Sequence, residues 1–142
     1  MPLRKDIPIE AFAAKAHIGL PELLGLEVVR VAENALDMRV AIQQRLLAPN
    51  GYLHAASVIA LADTACGFGC IAHLPDGAEN FTTIELKTNF LGTATSGTML
   101  AQARPLHLGR TTQVWDATIS HEESGRTIAE FRCTQLVLWP KR

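Results

Sequence analysis

A strong charge of either sign, a long apolar run and paired cysteines are all missing from this chain of 142 residues. The formal net charge is −1, so no overall basic field exists to hold nucleic acid or an anionic membrane, although two or three local cations could still bind an anion. No stretch reaches the ~20 apolar residues of a membrane-spanning helix. Charged Lys5, Asp6, Glu10 and Lys15 interrupt the region where a signal peptide would be apolar. We therefore expect a cytoplasmic protein without a nucleic-acid or membrane partner.

Cysteines and aromatic residues are also few. The three cysteines, Cys66, Cys70 and Cys133, are an odd number without the spacing of a disulfide framework. Cys66, Cys70 and His73 fall on one helix face, which is also a spacing for zinc ligands. No second Cys/His pair follows, so we predict buried thiols and no metal. Two Trp, one Tyr and five Phe form no diagnostic aromatic group.

The overall composition, with 48% hydrophobic and 19% charged residues, is that of a globular protein. The length fits one domain, which we expect to span residues 1–142. Residues 1–20 form its N-terminal helix and lead-in, with a helix at residues 7–18. Pro8 suits the first turn of that helix, and Gly19 and Pro21 are expected to end it.

Most of the remaining chain alternates between apolar and polar residues, which predicts β-strands. Residues 26–33 and 36–43 form a predicted hairpin with its turn at Asn34 and Ala35. One face of the second strand is apolar and comprises Leu36, Met38, Val40 and Ile42. Four further strands are predicted at residues 82–91, 97–107, 111–121 and 126–138. Their close spacing and glycine-containing turns indicate an antiparallel meander.

Asp63 is the only Asp, Glu, Lys or Arg between Arg45 and Asp76. It lies in a predicted helix from Ala55 to near His73 that is apolar on all sides, so the helix should be buried. A buried carboxylate requires a hydrogen-bond network or a raised pKa. We therefore predict a functional acid, and the alternative is a capped or water-solvated Asp at the edge of the core.

These elements predict an α+β fold in which an antiparallel sheet of about six strands curves around the one long apolar helix. Such a sheet has exposed edge strands, and exposed edges favour pairing between chains. Dimerisation is therefore expected.

Five short motifs occur in an order and spacing that resemble the hotdog-fold acyl-CoA thioesterases. They occupy residues 50–56, 61–67, 86–91, 109–111 and 125–129. The chain is most similar to the PaaI-like branch, and also resembles the Arthrobacter type of 4-hydroxybenzoyl-CoA thioesterase. The resemblance covers residues 24–138. It implies an acyl-CoA substrate, with CoA as part of the substrate and no separate cofactor.

The resemblance also implies roles at the buried helix. The backbone N–H after His54, that of Ala55, would be the oxyanion donor, which suits a helix start where N–H groups lack internal acceptors. Asp63, eight residues further on, would be a general base or a nucleophile. Eight helical residues span ~12 Å, so Ala55 and Asp63 of one chain cannot reach the same carbonyl. The site would combine two subunits of a homodimer or a dimer of dimers.

The chain departs from the family pattern in three places. Ala55 and Ala56 replace the usual Gly-Gly after His54, which keeps the N–H donor but adds methyl groups beside the expected acyl pocket. Ala48 lies seven positions before the oxyanion residue, where many relatives carry Gln or Asn. Gly67 lies four positions after the acid, where some carry Thr or Ser. Asn50 could replace the missing amide, although a turn role is favoured. Thr64 or Thr83 could hold the attacking water instead.

Further residues are assigned by the resemblance. His54 is expected to position the helix start through backbone hydrogen bonds, and the alternative is contact with the thioester. The predicted CoA-binding residues are His107, Gly109, Arg110, Thr111 and Thr83. For the turn at 107–111 the alternative is a solvated hairpin with a type I′-like glycine. Lys87, Arg104 and Arg126 are other possible phosphate partners, with a solvated face favoured for each.

Three functions remain open at this point. The first is an acyl-CoA thioesterase. The second is a hotdog protein that binds acyl-CoA or oligomerises without catalysis, which Ala48 and Gly67 favour. The third is a hotdog dehydratase or hydratase acting on carrier-protein substrates, for which the sequence offers no acid–His pairing beyond His54 and Asp63. Release of free thiol from acyl-CoA esters separates the first from the others.

Overall fold

One long helix lies across the face of a six-stranded antiparallel sheet in the computed structural model, which describes residues 2–141. The helices are α1 (Ile9–Lys15), α2 (Gly19–Leu24) and α3 (Ala55–Ala72), with a short 3-10 helix at Gln44–Leu46. The strands are β1 (Glu27–Ala32), β2 (Ala35–Ala41), β3 (Asn80–Phe90), β4 (Thr98–Leu108), β5 (Thr112–His121) and β6 (Thr127–Leu138).

The strand order is β1-β2-β4-β5-β6-β3, and α3 contacts all six strands. This confirms the predicted α+β hotdog architecture. By length and composition α3 could also cross a membrane, but half of it is buried inside the molecule, as expected of a core helix. The apolar character of α3 is therefore explained by the sheet that covers it.

Two glycines let α3 lie close to aromatic rings of the sheet. A Cβ atom on Gly67 would come within 2.8 Å of Cζ of Phe81, and one on Gly69 within 2.6 Å of the Trp115 ring. Real side chains do not tolerate such distances to packed rings. The small residues on this helix therefore fix its depth in the sheet.

The N-terminal region differs from its prediction: the helix expected at residues 7–18 spans Ile9–Lys15, and Pro8 is its N-cap instead of a first-turn residue. The first helix ends at Lys15, but a second helix begins at Gly19, where only an end was expected. Gly19 adopts a φ of +66°, which glycine tolerates, and Pro21 lies in the first turn of α2. Pro is accepted there because the first N–H groups of a helix have no internal partner.

The first hairpin also turns one residue earlier than predicted. The turn comprises Glu33 and Asn34, and Ala35 already belongs to β2. Asn34 has a φ of 58°, and Asn is one of the few residues that adopt this conformation readily. The predicted apolar face of β2 is nevertheless buried as expected.

A β-bulge interrupts β3 between Thr83 and Glu85. Before the bulge, Phe81 and Thr83 lie on one face of β3. After it, Leu86 and Thr88 lie on that same face. The regular alternation expected for residues 82–91 is therefore wrong at this point. Bulges re-aim side chains, and this one leaves Thr83 facing α3.

Candidate active site

His54 caps the start of α3. Its Nδ1 accepts a hydrogen bond of 2.9 Å from the N–H of Ala56, and its own N–H donates to the carbonyl of Leu46 at 3.0 Å. The carbonyl of His54 accepts from the N–H of Ser57 at 3.0 Å. The imidazole is thus held against backbone, which is the positioning arrangement expected for His54.

The N–H of Ala55 is the first of the helix and is left without an acceptor. Ala55 is exposed, and no group within residues 2–141 accepts a hydrogen bond from its N–H. The next N–H, that of Ala56, is occupied by His54. A free donor at the positive end of a helix dipole is suited to an oxygen that develops negative charge.

The loop before α3 uses its polar groups internally. Oδ1 of Asn50 accepts from the N–H of Tyr52 at 3.1 Å, and the N–H of Ala48 donates to the carbonyl of Tyr52 at 2.7 Å. Asn50 therefore has the turn role that the sequence favoured. Its side-chain oxygen is engaged in this turn.

Asp63 lies in the middle of α3 and is half-buried. Burial raises the pKa of its carboxyl group, and a hydrogen bond from Thr83 acts in the opposite direction. Oγ1 of Thr83 lies 3.4 Å from Oδ1 of Asp63. Thr64, the next residue on the helix, makes no side-chain hydrogen bond within the described chain. Thr83 is therefore the polar neighbour of the acid.

Thr83 connects Asp63 to a residue that the sequence analysis missed. Oγ1 of Thr83 lies 2.8 Å from Oε1 of Gln135, which is fully buried on β6. Nε2 of Gln135 is 3.3 Å from Sγ of Cys133. The sequence signal was present: Gln135 is the one amide among the alternate apolar residues of this strand, Phe131, Cys133 and Val137.

The departure at Gly67 has a structural reason. Thr or Ser at this position would place its Cβ against the Phe81 ring, at 2.8 Å. The aromatic side chain occupies the space that a hydroxyl would need. Gly67 therefore supplies no hydroxyl group to assist Asp63.

The possible zinc ligands Cys66, Cys70 and His73 are buried, and both ring nitrogens of His73 make hydrogen bonds. His73 contacts the carbonyl of Gly69 through Nδ1 at 2.8 Å and accepts from the N–H of Asn34 through Nε2 at 3.0 Å. Burial raises the pKa of the Cys70 thiol to about 12 and also raises that of Cys66. A metal would need thiolates and a free ring nitrogen, and this environment disfavours both.

The turn between β4 and β5 presents a cation to solvent. The guanidinium of Arg110 lies 4.3 Å from the centroid of the Trp139 ring, and Nε1 of Trp139 donates to the carbonyl of Arg110 at 3.2 Å. Gly109 donates its N–H to the carbonyl of Thr112 at 2.9 Å. Gly109 is not among the glycines with positive φ, so the alternative of a type I′-like glycine is wrong. His107 and Thr111 are exposed beside it.

The other proposed phosphate partners differ in availability. Arg104 is paired with Asp37 at 2.6 Å, so its charge is already compensated. Lys87 and Arg126 lie on the exposed surface of the described chain. Among the cations predicted to contact phosphate, Arg110 lies over an aromatic ring and forms no ion pair with a carboxylate of the described chain.

Comparison with known proteins places the chain in a family. Residues 50–129 match the family model described as the thioesterase superfamily. The chain belongs to the thioesterase superfamily. The expected class of enzyme, a thioester hydrolase, is confirmed at this level, as is the hotdog resemblance.

Individual relatives of this thioesterase agree with that assignment. ComA2 of Bacillus subtilis is 36% identical over 84% of this chain and 94% of its own. The 1,4-dihydroxy-2-naphthoyl-CoA hydrolase of Listeria monocytogenes is 30% identical, over 82% of this chain and 94% of its own. The crystal structure of a variant of thioesterase PA1618 from Pseudomonas aeruginosa, in which alanine replaces a glutamine, has a TM-score of 0.88. It is 27% identical and covers 96% of this chain and 97% of its own.

The site elements of this thioesterase lie at opposite ends of α3. The free N–H of Ala55 is at the helix start, whereas the Arg110 turn lies against Trp139, which packs near Gly77 just beyond the helix end. The 18 residues of α3 span ~27 Å. Asp63 lies between the two ends. Within one protomer the free N–H of Ala55 and the Arg110 turn therefore lie at opposite ends of the helix.

Proposed function

We propose that this protein is an acyl-CoA thioesterase that releases a free acid and CoA, with Asp63 as general base or nucleophile and the N–H of Ala55 as oxyanion donor. The observation that carries the proposal is a half-buried carboxylate with a raised pKa on a helix that is otherwise apolar. The same helix begins with an unoccupied N–H donor. A base and an oxyanion donor are the two groups that thioester hydrolysis requires.

The reaction follows from these two groups. As a general base, Asp63 takes a proton from water while the water oxygen forms a bond to the carbonyl carbon. The carbonyl oxygen gains negative charge and accepts the hydrogen bond of Ala55. Collapse of the tetrahedral intermediate breaks the C–S bond, and the proton returns to sulfur. As a nucleophile, Asp63 would instead attack the carbonyl carbon and expel the CoA thiolate, which takes up a proton; water then hydrolyses the resulting anhydride to the free acid and restores the Asp63 carboxylate.

The site is proposed to be shared between two protomers. Ala55 and Asp63 are separated by ~12 Å along α3, so each carbonyl needs Ala55 of one chain and Asp63 of the other. The edge strand β3 offers a surface for pairing, because within residues 2–141 it is hydrogen-bonded only to β6, and it exposes the apolar side chains of Ile84 and Phe90. Twofold pairing of two β3 edges would bring the Ala55 end of one protomer towards the Arg110 end of its partner.

The binding of CoA is proposed to use the β4–β5 turn. Arg110 supplies a permanent positive charge for a phosphate, with His107, Gly109 and Thr111 around it. The CoA moiety is part of the substrate, and the proposed mechanism needs no separate cofactor. The assembly is a homodimer, or a homotetramer formed by two such dimers.

The acyl group is proposed to be aromatic. A relative that is 30% identical is named for hydrolysis of a two-ring aryl-CoA ester. The test is release of free thiol from benzoyl-, phenylacetyl-, 1,4-dihydroxy-2-naphthoyl- and straight-chain acyl-CoA esters. Faster turnover of the aryl esters supports the proposal, and faster turnover of the straight-chain esters contradicts this choice of acyl group.

A second candidate function is binding of acyl-CoA without hydrolysis. Ala48 favours it, because this chain carries alanine where an amide would hold the carbonyl or the water. Binding of a non-hydrolysable acyl-CoA analogue, together with no thiol release from any ester of the panel, would establish this second function.

A further inference from the structure

Gln135 contributes a buried amide beside the proposed catalytic acid. It is 0% exposed, and its amide lies 2.8 Å from the hydroxyl of Thr83, which itself lies 3.4 Å from Asp63. A buried amide without good partners is costly, so its contacts define where the neighbouring groups are held. Gln135 therefore reaches the acid through one intermediate side chain.

When Asp63 is ionised and accepts from Thr83, only one direction of hydrogen bonding satisfies all three groups. The hydroxyl of Thr83 carries a single proton and cannot donate to Gln135 and Asp63 at once. The oxygen and nitrogen of an amide can exchange places by a rotation of the side-chain end. With the nitrogen towards Thr83, Gln135 donates to Thr83 and Thr83 donates to Asp63. In that orientation the amide oxygen faces Sγ of Cys133, whose S–H is a weak donor.

We propose that Gln135 is a positioning residue that acts through Thr83 to hold the Asp63 carboxylate in its reactive orientation. This rests on the proposed function of Asp63. The relay supplies side-chain hydrogen bonding that neither Ala48 nor Gly67 can supply in this chain. The bulge after Thr83 supports it, because it places the hydroxyl on the α3 side of β3.

The surroundings of Asp63 allow the relay to be tested through the pH dependence of kcat/KM. The Cys66 thiol on α3 interacts electrostatically with the Asp63 carboxylate, and it also interacts with Cys133 on β6 and with Asp116 on β5. Burial raises the pKa of Cys66, so that thiol stays neutral in the assay range. Within residues 2–141, no cation forms an ion pair with Asp63. A shift in the acidic limb of the pH profile of kcat/KM, the part where activity falls at low pH, therefore reports on Thr83 and Gln135.

The experiment compares Gln135→Leu with Gln113→Leu. Gln113 is also 0% exposed and is the cross-strand partner of Gln135, but its amide bonds to the carbonyl of His73 and to Trp115. Without Gln135 the Thr83 hydroxyl is no longer held towards the carboxylate, and loss of that hydrogen bond raises the pKa of the carboxyl group. In Gln135→Leu we expect the acidic limb of kcat/KM to move up by about one pH unit and kcat to fall roughly tenfold, with KM unchanged. Gln113→Leu should lower the melting temperature without moving the limb.

Variants of Thr83 keep the test decisive if Gln135→Leu does not fold. Thr83→Val should move the limb as Gln135→Leu does, and Thr83→Ser should restore it. The double variant should show no further shift, because both residues act in one relay. An acidic limb that stays in place in Thr83→Val, with the Asp63 carboxyl titrating as in the wild type by ¹³C NMR, overturns the relay. Failure of the proposed function is distinguished by full activity of Asp63→Asn.

Discussion

Asp63 illustrates how one residue acquires an unusual chemical role from its surroundings. Burial on an apolar helix raises the pKa of its carboxyl group above the ordinary value, which makes the carboxylate a stronger base. The hydrogen bond from Thr83 opposes that shift. The two effects together suit a base that must be ionised before it accepts a proton.

Arg110 provides a prediction at the scale of a single side chain. Arg110→Ala should raise KM for acyl-CoA more than it lowers kcat, because a phosphate contact is the same in the ground state and the transition state. Arg110→Lys is the matched control: it keeps the charge but loses the planar stacking on Trp139, so its KM should be intermediate. Steady-state kinetics with one acyl-CoA ester measures both. An unchanged KM in Arg110→Ala rejects the assignment of this turn to the CoA phosphates.

At the scale of elements, His73 joins the end of α3 to the first hairpin. Its imidazole accepts from the N–H of Asn34 and donates to Gly69, so it must be neutral to make both contacts. Burial lowers its pKa below the ordinary value of 6.5. The unfolded chain therefore takes up this proton more readily than the folded one.

That difference predicts how stability depends on pH. The stabilisation from neutral His73 is present above pH 6.5 and is lost as the pH falls through the lowered pKa of the folded protein. The free energy of unfolding should decrease by up to about 1.4 kcal/mol per pH unit within that window. Urea unfolding at a series of pH values, for the wild type and for His73→Gln, measures it. Equal pH dependence of the two proteins between pH 6.5 and 5 would show that His73 is not responsible.

The sequence predicts the elements that depend on local pattern. The alternation of Leu36, Met38 and Val40 predicts the buried face of β2, and the apolar run predicts α3. The predicted turn, at Asn34 and Ala35, is one residue later than the observed turn at Glu33 and Asn34. Both dipeptides are compatible with a turn, and only the pairing of β2 with β1 decides between them.

The site is predictable only in part, for a similar reason. Asp63 is conspicuous because it is alone among apolar residues. Its pairing with Thr83, and that of Thr83 with Gln135, depends on the register of β3 against β6 and on a bulge. Asp63 and Thr83 are 20 positions apart in the chain, and Thr83 and Gln135 are 52 positions apart. No local spacing encodes such contacts, and the regular alternation expected for β3 concealed the bulge.

At the scale of the whole molecule, the proposed chemistry requires two protomers. The oxyanion donor and the acid are too far apart within one chain, and β3 is an edge strand with exposed apolar residues. Activity and association should therefore be lost together. A protein that remained active as a monomer would contradict the shared site.

Substitutions on the two edge strands test this directly. Ile84 on β3 is 56% exposed and Val29 on β1 is 49% exposed, so the two sites are matched in character and burial. Ile84→Lys should weaken the dimer and reduce thiol release in proportion, because like charges would face each other across the paired edges. Val29→Lys should leave both unchanged. Sedimentation velocity and thiol release at micromolar concentration measure the two properties on one preparation.

The most direct test of the account is Asp63→Asn, which is nearly isosteric and cannot accept a proton. Thiol release and thermal melting are measured on the same preparation. We predict that kcat falls by ~10²-fold or more with little change in KM, because the carboxylate acts on the acyl carbon. The melting temperature should hold or rise, because burial disfavours the charged carboxylate that the amide replaces. A folded Asp63→Asn protein with full activity would contradict the mechanism, and a loss of activity that only follows unfolding would assign Asp63 a structural role.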